Sequence, residues 1–418
     1  MIRFGVVGLG GFAATWAHSL EVLEARGVAR LAAVTEIDRE LLAARRSALK
    51  ARGVQVYENL GAMLEHGHGS IDIIGLPVGI ASHAPLAVQT MQAGYNVLVE
   101  KPAAATVQDV KWMMETEQRT GQWCAVDYQF LYSPVAQWVL DKLTSGALGA
   151  IREVRTRIAW PRASDYYARN AWAGKIRLAN RASGVSVWVL DGPATNAVAH
   201  YLMQSLYWAA LGRMDENVIT DVRAELYRAK PIESYDTCYV EARLSNGVRV
   251  VHMSSHAVSE RLEPEAVILC EKGQIRWFAP EERIVVSYTD GSVSGGEETY
   301  VADDGLEVHT RALGRVANMA AGKEARPACG LREAGVQVLA INLAFESSGR
   351  VFQIPQSYVY EAGTPDRSLI AVRGLEDALQ RAYDGGITLA EVGIPWAQSM
   401  PWVSARDYRA FPQGYAFI

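Results

Sequence analysis

The first 130 residues alternate short β-branched runs with helical stretches, and this alternation restricts the fold more than any other feature of the sequence. Parallel strands need long crossover connections, which helices usually supply. The runs that predict strands are 2–7, 31–35, 54–57, 71–76, 96–99 and 123–126. The stretches that predict helices are 12–26, 39–52, 83–93 and 107–119. The pattern predicts an α/β domain over residues 1–130, with a doubly wound parallel sheet.

The rhythm changes after Ser133-Pro134 to longer runs with period two. Ser245-Asn246-Gly247 lies between two such runs and is typical of a type I′ hairpin. A chain of 418 residues also exceeds the roughly 250 to 300 at which one core stops growing. We therefore predict an α+β substrate and oligomerisation domain over 131–355, with a large antiparallel sheet and a helix at 193–211. Residues 356–418, rich in Trp, Tyr and Pro, are predicted to form an arm that packs on the domains or on a neighbouring subunit.

Charge and composition exclude several classes of partner. The chain has 41 Lys and Arg residues against 46 Asp and Glu, without long like-charge blocks, so we expect no nucleic acid and no anionic membrane as a partner. It lacks a basic leader with a cleavable apolar core and has no run of 18 apolar residues, so we expect a cytoplasmic protein. The cysteines lie far apart and the histidines lack a ligand cluster nearby, so we expect neither a disulfide nor a metal. The cysteines are Cys124, Cys238, Cys270 and Cys329.

A glycine-rich turn follows the first predicted strand and opens the first helix. It fits the pattern G-x-G-x-x-G/A, in which glycines make the tight turn and let the backbone approach a pyrophosphate. Glu36 ends the second predicted strand, where an acidic side chain accepts hydrogen bonds from an adenosine ribose and repels a 2′-phosphate. The order of strand, helix and acid predicts a Rossmann domain that binds NAD rather than NADP. The turn residues expected to bind the cofactor are Gly8, Leu9, Gly10, Gly11, Phe12 and Ala13.

The fifth predicted strand ends in Glu100-Lys101-Pro102. A Rossmann half followed by a strand with this ending resembles the Gfo/Idh/MocA family, and the resemblance covers about residues 1–355. It implies that a nicotinamide cofactor oxidises or reduces a secondary alcohol on a sugar, cyclitol or sugar derivative. By position alone, Lys101 lies at the carboxyl end of a parallel strand, where doubly wound sheets bind ligands. Its ammonium group can orient a hydroxyl or exchange a proton there; the alternative is a surface salt bridge with Glu100.

Other residues are candidates for the cofactor side of this crevice. They follow the fourth, fifth and sixth predicted strands or begin a helix, and they are Leu76, Pro77, His83, Glu100, Lys101 and Gln129. For His83, a helix cap is an equal alternative.

A second group of candidates opens the predicted helix 193–211. Members of the resembled family that are similar to inositol dehydrogenase carry Asp-x-x-x-His here, and the resemblance matches Asp191 to the aspartate. Thr195 stands where the histidine is expected. Asn196 and His200 are the next helical pair; at i and i+4 they share one face and could present an amide and an imidazole to the same substrate oxygen. We predict Lys101, Asp191, Asn196 and His200 as catalytic residues, with a satisfied core histidine as the alternative for His200.

The stretch before this helix is aromatic and rich in hydroxyl groups. Rings stack on sugar C–H faces while charged and amide groups bind sugar hydroxyls, so the substrate-binding candidates are Trp160, Tyr166, Trp172 and Lys175. A surface loop that only covers the sheet is the alternative.

Together these features predict an NAD-dependent oxidoreductase that acts on a secondary hydroxyl of a carbohydrate-like small molecule. Two alternatives stay open: an NAD-dependent lyase or glycosidase that uses transient oxidation and elimination, and a cofactor-bound sugar sensor or regulator. We also expect a homodimer or homotetramer, because period-two strands need cover on both faces of their sheet.

Overall fold

The structure is a computed structural model that describes residues 1–179, 186–289, 297–302, 305–325, 327–364 and 367–414. The chain divides into two compact units. Unit 1 comprises Met1–Ala104, Gln108–Ser133 and Asp303–Gly335, and unit 2 comprises Ala105–Val107, Pro134–Ala302 and Val336–Ile418. The first unit thus ends its main segment close to the predicted boundary, but it also includes a late segment that the prediction assigned to the second domain.

Residues 1–133, all described, contain the predicted parallel sheet. Its order is β3-β2-β1-β4-β5-β6 and every pairing is parallel, which confirms the doubly wound α/β prediction. The strands are β1 (Ile2–Val7), β2 (Ala29–Thr35), β3 (Gln55–Tyr57), β4 (Ile73–Leu76), β5 (Asn96–Val99) and β6 (Cys124–Val126). The helices are α1 (Ala13–Ala25), α2 (Arg39–Ala51), α3 (Leu60–His66), α4 (Ile80–Gln92) and α5 (Val107–Thr120).

Close packing of α1 on this sheet depends on a glycine. The Trp16 side chain is fully buried, and its ring lies 2.6 Å from where a Cβ on Gly75 would stand. Any larger residue at position 75 would push the helix off the sheet. This packing fixes the start of α1 against β1 and β4.

The next part of the chain forms most of unit 2. Its helices are α6 (Pro134–Thr144), α7 (Ser164–Ala168) and α8 (Ala199–Ala209). Its strands are β7 (Ile151–Ala159), β8 (Arg177–Ala179), β9 (Ser186–Trp188), β10 (Ile219–Arg228), β11 (Thr237–Leu244), β12 (Arg249–Ser255), β13 (Leu262–Cys270), β14 (Gly273–Phe278), β15 (Arg283–Tyr288) and β16 (Glu297–Val301).

The remaining elements begin with a helix of unit 1 and continue into unit 2. They are α9 (Val308–Ala320), α10 (Leu331–Ser348), β17 (Phe352–Gln353), β18 (Val359–Glu361), β19 (Ile370–Val372), α11 (Leu375–Gly385), α12 (Leu389–Val392) and β20 (Val403–Ser404).

The large sheet of unit 2 has the order β16-β15-β14-β13-β7-β12-β11-β10-β17, and β20 also pairs with β10. Most pairings are antiparallel, as predicted, but β7–β12 and β10–β17 are parallel, so the sheet is mixed. The predicted hairpin joins β11 and β12. Its turn is not type I′, however, because Gly247 has a φ of 85° while Asn246 is not in the left-handed region.

The predicted helix 193–211 is interrupted. Pro193–Ala197 form a π-helical turn, and α8 begins only after Val198, whose φ of −124° and ψ of 19° break the helix. Val198 N donates to Pro193 O at 2.9 Å, which closes the wide turn. The prediction that Asn196 and His200 share one helical face is therefore wrong.

The C-terminal segment packs on its own unit 2. Helix α8 lies on one face of the large sheet, where Ser205 and Thr156 hydrogen-bond. The opposite face forms a core with the C-terminal elements, whose fully buried residues include Val372, Leu379 and Leu389. The face expected to need cover from a neighbour is thus occupied by the same chain, and a homo-oligomer stays a prediction that this face does not support.

Arginines on the sheet hold the end of α11. Arg155 Nη1 donates to the carbonyl oxygens of Tyr383 (3.0 Å) and Asp384 (2.6 Å), and Arg249 Nη2 donates to that of Gly386 (2.9 Å). These cations satisfy carbonyl groups that a helix end leaves unpaired. The segment is therefore docked by polar contacts as well as by apolar packing.

Two further observations concern the whole described chain. No described helix has the length and apolar character needed to cross a membrane. All four cysteines are free thiols, and Cys270 is the one that is not fully buried.

Candidate functional site

The glycine-rich turn of unit 1 has the geometry that the sequence predicts. Gly8 and Gly11 have φ values of 101° and 54°, and Ala13 begins α1 directly behind them. A Cβ on Gly8 would lie 3.9 Å from that of Ala13, so helix and strand meet across small residues. Phe12 is 47% exposed, whereas Leu9 is buried. The turn thus offers glycine backbone at the start of a helix, as pyrophosphate binding requires.

Glu36 lies against this turn. Its Oε2 accepts a hydrogen bond from Leu9 N at 2.6 Å, and its Oε1 accepts one from Asp38 N at 2.9 Å. The side chain follows β2 directly, so a carboxylate stands beside the turn where an adenosine ribose is expected. The geometry fits the predicted preference for a ribose diol over a 2′-phosphate.

The remaining cofactor candidates differ in exposure. Leu76 is fully buried at the end of β4, while Pro77 and Gln129 are half-buried. His83 is buried inside α4, where its Nδ1 lies 2.7 Å from Pro102 O and its Nε2 lies 3.0 Å from Val78 O. Burial lowers the pKa of His83 to about 4, so the ring is neutral at pH 7. His83 therefore fastens the segment after Lys101 to α4.

Unit 1 contains a buried charge cluster, which we define as Glu100, Asp127 and His309. These residues follow β5, follow β6 and lie in the first turn of α9, and their ligand atoms lie within 4.8 Å of one another. His309 Nε2 is 2.9 Å from Asp127 Oδ2. Glu100 accepts hydrogen bonds from Trp16 Nε1 (2.9 Å) and from Lys101 N (3.1 Å). The cluster thus lies directly beside Lys101.

Burial and neighbouring charge shift the pKa values of two members of the cluster, Glu100 and His309. Burial, reinforced by the Asp127 charge, raises the pKa of Glu100 to about 7. Burial alone would lower the pKa of His309, but the Asp127 carboxylate outweighs it and the pKa is raised. His309 also pairs its Nδ1 with Ser19 Oγ at 3.0 Å. A carboxyl group with a pKa near 7 can store and return a proton at the working pH of most enzymes.

Sequence reasoning missed Asp127 and His309. The prediction of no metal rested on the local spacing of histidines and cysteines. Such spacing cannot reveal a cluster whose carboxylates and imidazole come from three separate segments of the chain. A residue pattern could have pointed to Asp127, because it follows a predicted strand at the carboxyl edge of the sheet. No local pattern marks His309. Phe12 connects the cluster to the glycine turn, since its ring packs edge-on against His309 with centroids 5.3 Å apart.

In unit 2, Asp191 organises the candidate site. It is 2% exposed, its Oδ2 accepts a hydrogen bond from Gly174 N (2.6 Å), and its Oδ1 accepts one from Asn196 Nδ2 (3.0 Å). Asp191 N donates to Lys175 O at 2.9 Å. The structure thus joins two predicted catalytic residues, Asp191 and Asn196, in one hydrogen-bonded group, and His200 follows half-buried in the first turn of α8.

The turn around Asp191 is tightly packed. A Cβ on Gly192 would lie 2.3 Å from the Tyr235 ring. The Tyr235 hydroxyl lies 3.1 Å from Thr195 N and 2.8 Å from Thr195 Oγ1. Thr195, which stands at the histidine position of the resembled family, is thus held by Tyr235 inside the unit.

Three of the four substrate-binding candidates form an aromatic group. Trp160, Tyr166 and Trp172 are all half-buried and are connected by stacked arginines, while Lys175 is exposed. His256, which sequence reasoning missed, is buried next to them, with its Nδ1 3.1 Å from the Tyr167 hydroxyl.

Residues 2–128 match the Gfo/Idh/MocA family, described as an oxidoreductase family with an NAD-binding Rossmann fold. Unit 1 is therefore an NAD-binding Rossmann domain, as its turn and Glu36 predict. The match over residues 2–128 confirms, for this domain, the resemblance to the Gfo/Idh/MocA family drawn from Glu100-Lys101-Pro102.

Curated relatives align mainly with the same region. The chain is 28% identical over 116 residues to dTDP-3,4-didehydro-2,6-dideoxy-alpha-D-glucose 3-reductase of Streptomyces violaceoruber, covering 28% of this chain and 33% of that protein. It is 31% identical over 104 residues to glycosyl hydrolase family 109 protein 2 of Bacteroides fragilis, covering 25% and 24%. The chain thus spans a third or less of the length of these relatives.

A solved structure shows that the fold extends beyond the Rossmann domain. The WlbA dehydrogenase from Bordetella pertussis, in complex with NADH and UDP-GlcNAcA, aligns with a TM-score of 0.64 at 23% identity. The alignment covers 83% of this chain and 96% of that one. At this identity the likeness shows the fold alone.

Proposed function

We propose that the protein is an NAD-dependent oxidoreductase that acts on a secondary hydroxyl of a sugar derivative. The observation that carries the proposal is the position of Lys101 in an NAD-binding unit, next to the buried charge cluster. Oxidation of an alcohol releases a proton as well as a hydride, and a group with a pKa near 7 takes up that proton best. The expected general base therefore has a proton acceptor, Glu100, as its direct neighbour.

The proposed reaction converts a carbinol into a ketone. When bound, NAD supplies the acceptor for the hydride that leaves the carbinol carbon. Lys101, in its neutral form, accepts the hydroxyl proton as the C–O bond becomes double, and the charge cluster compensates the ammonium that forms. Gly8, Gly10 and Glu36 are proposed to hold the pyrophosphate and the adenosine ribose.

The residues of unit 2 are proposed to hold the substrate. Asn196, fixed by Asp191, would present its amide to a hydroxyl without exchanging a proton. His200 is a second proposed base. Sugar derivatives are favoured as substrates because the relatives include a dTDP-sugar reductase and a dehydrogenase crystallised with UDP-GlcNAcA.

A second candidate function is transient oxidation followed by elimination and return of the hydride. The similarity to a glycosyl hydrolase family 109 protein supports this candidate. It uses the same cofactor and base, but the net reaction removes a leaving group and produces no NADH.

One screen tests both candidates. The protein is mixed with NAD and a panel of sugars, cyclitols, sugar nucleotides and p-nitrophenyl glycosides, and NADH absorbance and product mass are read in parallel. We expect NADH to accumulate together with a product two hydrogens lighter. Release of a leaving group without NADH would favour the elimination reaction, and binding without any turnover would favour the sensor.

A further inference from the structure

Two arginines in the loop after β7 enclose the Tyr166 ring. The Arg162 guanidinium lies 5.0 Å from the Tyr166 centroid and 5.4 Å from that of Trp160. The Arg169 guanidinium lies 3.6 Å from the Tyr166 centroid and 5.2 Å from that of Trp172. The stacking fixes the planes of both cations, so their N–H groups are oriented before any ligand arrives.

Neither arginine is neutralised. Within the described residues, Arg162 and Arg169 make no ion pair with a carboxylate, and Arg162 Nε is a buried donor without a hydrogen-bond partner. Arginines on the large sheet of the same unit behave differently: Arg223 lies 2.7 Å from Glu241 and Arg249 lies 2.7 Å from Glu153. A buried guanidinium donor left unpaired is costly unless a ligand supplies an acceptor.

The pair lies beside the Asp191 group. Burial raises the pKa of Tyr166 and that of Tyr167, and negative charge adds to it, from Asp191 for Tyr166 and from Asp236 ahead of Asp191 for Tyr167. His256, which contacts Tyr166 and Tyr167, adds no positive charge, because burial and the charges of Arg162, Lys230 and Arg169 keep its pKa well below the usual value. Arg162 and Arg169 supply positive charge at these rings, and Lys230, which acts on His256, and Arg261, 4.7 Å from the Trp160 centroid, add to it.

We propose that Arg162 and Arg169 form a subsite for an anionic group of the substrate, either a carboxylate or a phosphate. A guanidinium offers two parallel N–H donors, which match the oxygens of both groups. The stacked rings of Trp160 and Trp172 at the two ends provide apolar surface for the sugar that carries the anion. The proposal rests on the proposed function and narrows its substrates to acidic or phosphorylated sugars, including sugar nucleotides.

The test measures binding to the NAD-saturated protein by calorimetry with four probes: glucose, glucuronate, glucose 1-phosphate and UDP. We expect at least one anion to bind more tightly than glucose, with an affinity that falls as salt is added. Arg162→Gln and Arg169→Gln should each lower the affinity for that anion about 10- to 100-fold. The two sugar anions distinguish a carboxylate from a phosphate as the preferred group.

Arg283→Gln is the matched control, because Arg283 also stacks on a ring, that of Phe278 at 4.0 Å, but pairs with Glu281. It should leave anion binding unchanged. The proposal is overturned if no anion binds, or if both Gln variants bind anions like the control. Binding of an anion without any oxidation would instead contradict the proposed function, and oxidation of glucose at the rate of its anions would contradict the subsite alone.

Discussion

His309 Nε2 lies 2.9 Å from Asp127 Oδ2, so the late helix α9 contributes an imidazole to the carboxyl edge of the Rossmann sheet. Glu100 follows β5 and Asp127 follows β6, and this contact adds a third titratable group from α9 to the same edge of the sheet. The ion pair consequently joins segments that lie far apart in the sequence of unit 1.

Stability should depend on pH through Glu100. Its pKa is raised from 4.5 to about 7, so the folded protein holds a proton in that window that the unfolded chain releases. The free energy of unfolding should therefore fall as pH rises from 4.5 through about 7. His309 adds the same sign, because its stabilisation is full below its ordinary pKa of 6.5 and is lost as pH rises through the higher folded value.

Urea unfolding across this range checks the prediction. Glu100→Gln should remove a pH-dependent contribution to the free energy of unfolding on the order of 3 kcal/mol, while the exposed Glu58→Gln of the same unit should not. A wild-type stability that stays level or rises over the window would mean that Glu100 is ionised in the folded protein.

Glu36 should set the choice of cofactor. A 2′-phosphate beside its carboxylate brings two like charges within a few ångströms, which costs about 1 kcal/mol or more, or about a 5-fold loss of affinity. Glu36→Ala should narrow the difference between NAD and NADP, and Glu40→Ala on α2 should not. Fluorescence titration measures both dissociation constants. Equal affinities of the wild type for NAD and NADP would mean that Glu36 only holds the glycine-rich turn and does not select the cofactor.

Lys101→Met should bind NAD normally and turn over about 100- to 10,000-fold more slowly, because a general base is lost while the cofactor contacts remain. His200→Asn should behave in the same way if its imidazole takes part. Kinetics with NAD titration separate kcat from binding. Full activity in His200→Asn assigns His200 to packing, and full activity in Lys101→Met removes the proposed mechanism.

Leu379→Ala should lower the free energy of unfolding by about 2 to 5 kcal/mol, because Leu379 is fully buried between α11 and the large sheet. Arg381→Ala, on the exposed side of the same helix, is the control. Denaturant unfolding measures the change, and light scattering reports the mass of each variant. A Leu379→Ala protein as stable as the control would show that α11 leaves the sheet in solution.

The sequence predicts unit 1 well because buried parallel strands are short apolar runs that a helix must separate. The positions of Gly8, Glu36 and Lys101 can then be predicted because each residue follows the end of a strand. Asp127 and His309 meet only through tertiary packing, so no local spacing indicates their contact.

The region of Asp191 is harder to predict. An apolar run that follows Pro193 is compatible with an α-helix or with a π-helical turn, and tertiary contacts decide between them. Here the close approach of Tyr235 to Gly192 and its bonds to Thr195 favour the wider turn. The i, i+4 spacing of Asn196 and His200 consequently does not place the two side chains on one face of an α-helix.

Covering the sheet with α11 changes how unit 2 responds to dilution. A cover supplied by another molecule is lost when the protein concentration falls below the dissociation constant. A cover on the same chain has an effective concentration fixed by its tether, so its occupancy is the same at any protein concentration. The apolar face beneath Leu379 therefore stays protected in a dilute cell extract as it does in a concentrated sample.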